Sequence, residues 1–116
     1  MTREFVRLHE FEKRCKQIGL EEDDINEIEN EILSNPIIGD LIQGSGGIRK
    51  FRIALPNRGK RGGARVVYID FATYSVTYLI TVFAKNEIEN LSQSERNELK
   101  NLVGILKNEL RKKGEL

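Results

Sequence analysis

The chain has one cysteine, one histidine, two prolines and no tryptophan among its 116 residues. A lone Cys15 excludes an intramolecular disulfide and favours a reducing compartment. No HExxH, no CxxC and no acidic metal cluster is present, so a zinc site is not expected. With a single imidazole, His9, and a single thiol, Cys15, the usual nucleophile–base equipment is missing as well. His9 reads as a surface residue at a helix start and Cys15 as a small buried apolar group. No apolar run approaches the roughly 20 residues of a membrane span. The first residues are interrupted by Arg3, Glu4, Arg7, Glu10 and Glu12, which breaks any signal-peptide core. The cytoplasm is the expected address. Two glycine-rich stretches also fall short of nucleotide motifs: Gly44-Ser-Gly-Gly47 is not GxGxxG, and Gly59-Lys-Arg-Gly-Gly63 lacks the GK[ST] of a phosphate-binding loop.

The most informative absence is of acid. Residues 41–69 contain no Asp or Glu but seven bases: Arg49, Lys50, Arg52, Arg58, Lys60, Arg61 and Arg65. The net charge of +1 conceals this, because residues 1–40 carry 11 acids against five bases and residues 70–116 carry seven of each. Charge needed only for solubility would mix its signs. A one-signed segment creates a local positive field that attracts polyanions. A basic edge hairpin that guards against aggregation would look similar, so composition by itself points to polyanion binding and not yet to catalysis.

What is there is the material of one domain over residues 1–116, with 39% hydrophobic and 32% charged residues. Residues 4–8 suit a short first strand. His9–Ile18 has Phe11, Cys15 and Ile18 at helical spacing and stops at Gly19. A second helix is expected from about Glu21 to Ser34, with Ile25, Ile28, Ile32 and Leu33 on one face and acids in its first turn. Asn35-Pro36 ends it. Residues 37–47 read as turns around a short extended piece. Three strands follow at 48–55, 65–71 and 76–83, rich in β-branched and aromatic residues. The first alternates, with Ile48, Lys50, Arg52 and Ala54 on one face and Arg49, Phe51, Ile53 and Leu55 on the other. A basic loop, 56–63, joins the first two, and a turn near 72–75 joins the last two. The final helix starts at a capping box, Ser92 with Glu95, and has its apolar stripe at Leu99, Leu102, Val103, Leu106 and Leu110. The expected class is α+β: an N-terminal helical hairpin, a small twisted, mainly antiparallel sheet, and a C-terminal helix.

The cationic hairpin is the place for chemistry. Arg binds phosphate bidentately and stabilises charge developing in a transition state. A Lys crowded by other cations has its pKa lowered toward neutrality. An RNA 2′-hydroxyl attacking its own phosphate needs no metal, and glycines 59, 62 and 63 let the loop approach a nucleic-acid backbone. Tyr68, Tyr74 and Tyr78 are candidates for base stacking, although strand tyrosines more often pack in cores.

Three stretches resemble the HigB-like branch of the RelE/ParE toxin superfamily: Ile42-Gln-Gly-Ser-Gly-Gly-Ile-Arg-Lys-Phe-Arg-Ile-Ala54, Gly59-Lys-Arg-Gly-Gly-Ala-Arg-Val-Val-Tyr68 and Leu79-Ile-Thr-Val-Phe-Ala-Lys-Asn-Glu-Ile-Glu-Asn-Leu91. Asn35-Pro36 with Gly39-Asp40 fits the same branch, as does the element order over nearly the whole chain. The resemblance implies a RelE-like fold and the toxin of a type II toxin–antitoxin pair. Such a toxin is a metal-independent mRNA endoribonuclease that enters the ribosomal A site and is held inactive by an antitoxin, here expected to be a helix-turn-helix DNA-binding protein. It implies no cofactor and no membrane. The family's catalytic cations fall on Arg52, Arg65 and Lys85, with Lys60 or Arg61 in place of a strand lysine whose position is Ala54. Arg49, Lys50, Arg58, Arg61 and Tyr68 are the expected RNA-binding residues. The family pattern also has a C-terminal tyrosine. None occurs here after Tyr78, which leaves the acid–base roles unassigned. A ParE-like inhibitor of DNA gyrase and a non-catalytic RNA-binding module are the alternatives.

Overall fold

The computed structural model describes residues 2–55, 63–84 and 91–114. Strand β1 (Glu4–Arg7) leads into helices α1 (His9–Ile18) and α2 (Glu22–Ser34). Strands β2 (Asp40–Leu41), β3 (Arg49–Ala54), β4 (Gly63–Phe71) and β5 (Val76–Ala84) follow, with a 3₁₀ turn at Ala72–Tyr74, and helix α3 (Gln93–Gly114) is the last described element. This is the expected α+β order. Local chemistry sets the helix ends. Gly19 closes α1 in the left-handed region, at φ 83°, where glycine meets no Cβ penalty. Glu21 caps α2 in a reciprocal box with Asp24. Ser92 Oγ accepts the Glu95 N–H at 3.1 Å while the Glu95 carboxylate accepts the Ser92 N–H at 3.0 Å, the box anticipated from the sequence.

The sheet order is β1-β5-β4-β3-β2. The β2-β3-β4-β5 part is antiparallel, and β1 joins β5 in parallel, Glu4 opposite Val76 through Arg7 opposite Leu79. The sheet is therefore mixed, and its one parallel pair joins segments some 70 residues apart. A buried ion pair pins that junction. Arg3 donates to both carboxylate oxygens of Asp70, at 2.9 and 3.3 Å, and Thr77 donates to the same carboxylate at 2.7 Å.

Each face of the sheet carries its own core. Phe11, Cys15, Ile25, Ile28 and Ile32 of the helical hairpin pack on Phe51, Val66, Tyr68, Leu79 and Val82. Val103, Leu106 and Leu110 of α3 pack on Val67, Ile69, Phe71, Tyr78 and Ile80. Strands β4 and β5 are buried on both faces, which explains their nearly unbroken apolar sequences. Val67 pairs with Thr81 and Tyr68 with Leu79, so Ile80 is the extra residue of a β-bulge. The bulge shifts the alternation of β5 and brings Phe83 opposite Arg65, on the α3 side. At the other edge, Gly39 (φ 90°) lies so close to the Lys50 carbonyl that a Cβ would collide with it. Part of the acidic α2 face is engaged rather than simply solvated: Arg7 of β1 pairs with Glu22 at 2.8 Å and Glu29 at 3.0 Å.

Candidate nucleic-acid interface

The register of β3 against β4 assembles the cationic residues. Arg52 stands directly opposite Arg65, and Lys50 opposite Val67. Val67 belongs to the α3-side core. Alternation therefore places Lys50, Arg52 and Arg65 together on that side, as the sequence pattern of β3 anticipated. None of the three has an ion-pair or hydrogen-bond partner among the described residues. Two guanidinium groups on directly opposed positions, with Cβ atoms about 5 Å apart, repel each other and cost the sheet stability. An unneutralised arrangement of this kind is suited to a ligand that brings negative charge. Arg52 is exposed, while Lys50 and Arg65 are partly covered. The stem of Arg52 lies along Gly63. Beyond β2 the edge of β3 is unpaired at Ile53 and Ala54 among the described residues. Arg52 there borders a groove of about 590 Å³ shared with Asp24, Glu27 and Glu31 of α2.

Arg49 does not join this cluster. It pairs with Tyr68 on the hairpin side of the sheet, and its guanidinium donates to the carbonyls of Ile37 at 3.3 Å and Gly39 at 3.2 Å. It ties the 37–39 turn to the strand. Tyr68 requires a correction. The expectation that it binds RNA fails, because it is fully buried (0% exposed). Its hydroxyl reaches the carbonyls of Ile38 at 2.7 Å and Pro36 at 3.1 Å, and its ring meets Phe51 edge-on at 5.6 Å. Burial pushes the phenol up to about 12, so it stays protonated and donating. Tyr78 is likewise a core residue, edge-on to Phe71, and of the three tyrosines Tyr74 alone is exposed. Lys85, Lys60, Arg58 and Arg61 lie outside the described residues.

The residues not anticipated come from α3. Between its first turns and the sheet, next to Lys50, lies a slot of about 170 Å³ whose walls include Phe83, Leu91 and Leu99, with Glu95 and Glu98 also lining it. In sequence Glu95 reads as half of the Ser92 capping box, and nothing in the spacing of Glu95 and Glu98 signals a cavity. Cys15 is buried, its thiol pushed up to about 11 by desolvation, which makes it inert at neutral pH.

The cationic patch lies on the face toward the last helix of an α+β fold, a mixed sheet flanked by a helical hairpin and a C-terminal helix. A solved structure of the E. coli toxin RelE, a double arginine-to-alanine mutant in the free state, shares this fold with a TM-score of 0.55 at 19% identity, over 84% of this chain and 97% of that one. The sequence model described as "RelE toxin of RelE / RelB toxin-antitoxin system" matches residues 3–114. The chain belongs to the RelE toxin family, and an antitoxin partner follows from that membership.

Proposed function

We propose that this toxin is a ribosome-dependent mRNA endoribonuclease of the HigB-like branch, acting in the cytoplasm. The observation that carries the reading is the Arg52–Arg65 cross-strand pair with Lys50 on the same face, none of them held in an ion pair or hydrogen bond among the described residues. Cations held rigidly on paired strands are pre-organised for a phosphodiester and need no reorganisation as charge develops. In the proposed reaction the RNA 2′-oxygen attacks the adjacent phosphorus and the P–O bond to the 5′-oxygen breaks. Arg65 and Arg52 bind the non-bridging oxygens, whose charge grows in the transition state. Lys50 holds a neighbouring phosphate. Lys85 and Lys60 enter through the family resemblance as further catalytic cations, with Arg58 and Arg61 as backbone contacts. A helix-turn-helix antitoxin that covers or displaces part of this face is the proposed control.

The test is a reporter mRNA incubated with the purified protein, with and without translating ribosomes. Cleavage is expected only with ribosomes. Arg65→Ala is expected to lower its rate by about 10²–10³-fold, the cost of one transition-state donor, with folding retained by circular dichroism. Intact mRNA together with inhibited gyrase supercoiling would replace this reading with the ParE-like one. RNA affinity without either effect would leave a binding module.

A further inference from the structure

The slot under α3 opens beside Lys50, on the same face as Arg52 and Arg65. Its volume of about 170 Å³ is roughly half the lower limit for pockets that enclose drug-sized ligands, about 300 Å³. It is sized for one flat base and not for a whole nucleotide. Phe83, Leu91 and Leu99 give it apolar walls, the kind of surface on which a base stacks in a sequence-tolerant way. The rim is different. Lys50 supplies donors only, and a glutamate carboxylate supplies acceptors only. The Glu95 carboxylate is already engaged by the Ser92 N–H at 3.0 Å. Glu98 has no ion-pair or hydrogen-bond partner among the described residues. A free carboxylate at the margin of a phosphate-binding face repels the backbone, and it is productive there only if it accepts hydrogen bonds from a base.

We propose that this slot holds one guanine base of the bound RNA, an inference that deepens the ribonuclease reading by giving it a specificity site. Guanine is the base whose pairing edge sets an acceptor oxygen beside two adjacent N–H donors. Glu98 accepts from the ring N1–H and the 2-amino group, one N–H of Lys50 donates to O6 while another keeps the neighbouring phosphate, and the flanking phosphate lies on Arg65. Adenine and cytosine each offer the carboxylate one amino group on that edge, and uracil offers one ring N–H.

The test uses the full chain with methyl groups labelled for NMR, titrated with GMP, AMP, CMP, UMP and ribose 5-phosphate to on the order of 10 mM, where weak binding of this class is measurable. GMP is expected to shift the methyl signals of Leu91 and Leu99 and to bind about tenfold more tightly than the other nucleotides, the discrimination of one good bidentate contact. Ribose 5-phosphate is expected to leave those methyls unmoved. Glu98→Gln, at an exposed position that does not threaten folding, is expected to abolish the guanine preference while AMP binding persists. Leu99→Trp is expected to close the slot to every base. Unmoved methyls with all four nucleotides, equal shifts with ribose 5-phosphate, or a guanine preference intact in Glu98→Gln would each overturn the proposal. Cleavage is scored separately. Guanine binding without mRNA cleavage defeats the ribonuclease reading and leaves the slot, whereas cleavage without slot shifts defeats the slot alone.

Discussion

Replacing Tyr68 with Phe separates a structural tyrosine from an RNA-binding one. The ring is fully buried and meets Phe51 edge-on. Phe preserves both the volume and that contact, so no cavity forms. What disappears is one hydroxyl, which serves the Ile38 carbonyl at 2.7 Å and the Pro36 carbonyl at 3.1 Å. Its net hydrogen bond contributes about 1 kcal/mol, and leaving half-covered carbonyls short of a donor raises the cost to about 1–2 kcal/mol. For a domain of this size, that corresponds to a fall in melting temperature of roughly 5–10 °C. Thermal and urea unfolding of the two proteins measures it directly. RNA affinity, measured in parallel on the same preparations at a temperature where both are folded, is expected to change by less than about twofold, since surface contacts are untouched. The reasoning is refuted if Tyr68→Phe melts with the native protein yet binds RNA several-fold more weakly. Such a result would put the hydroxyl at the ligand and not under the sheet.

Other consequences follow from the same geometry. Lys50, Arg52 and Arg65 on phosphates contribute about −2 to the salt slope in a log–log plot of affinity for single-stranded RNA, at least about a 20-fold loss between 50 and 200 mM salt; Arg65→Ala should flatten the slope by about 0.7, and an unchanged slope would remove Arg65 from the interface. Asp70→Ala strips the buried Arg3 of its carboxylate and Thr77 of its acceptor, so a loss of about 3–5 kcal/mol is expected in urea unfolding, against about 1 kcal/mol or less for Glu22→Gln at the exposed Arg7 pair. At high pH the folded state holds its protons longer than the unfolded chain: Cys15 titrates at about 11 against an ordinary 9.0, and Tyr68 at about 12 against 10.0. Their contribution is complete below the unfolded values and is lost as pH rises from about 9 to 12. The urea midpoint should decline across that window, and the thiol should resist disulfide reagents at neutral pH until urea is added.

Much of this protein is legible in one dimension. Helix α1 spans the stretch read from Phe11, Cys15 and Ile18, and α2 and α3 begin at caps made by near neighbours in the chain. Strand β3 has one polar face and one apolar face, and its alternation correctly assigned Lys50 and Arg52 to one side. These features depend on interactions within four residues, or on a periodicity that burial imposes on every residue of an element. Strands β4 and β5 carried no such phase. With both faces buried, an apolar run is compatible with either orientation, so neither the Ile80 bulge nor the inward position of Tyr68 was visible. A tyrosine three residues beyond a basic site suits a stacking surface and a core equally well, and its partners lie some 30 residues earlier, at Pro36 and Ile38.

The acid-free stretch between residues 41 and 69 was determined by the sequence alone, and with it the expectation of a polyanion-binding surface, because charge composition does not depend on how the chain folds. Tertiary structure alone decided which of those cations share a face. The β3–β4 register sets Arg52 against Arg65 and sends Arg49 to the opposite face. The docking of α3 on the sheet makes a slot beside Lys50 by bringing in Glu95, Glu98 and Leu99, more than 40 positions away. Such juxtapositions come from strand pairing and helix packing across long loops, where the free energy lies in contacts that no local pattern encodes.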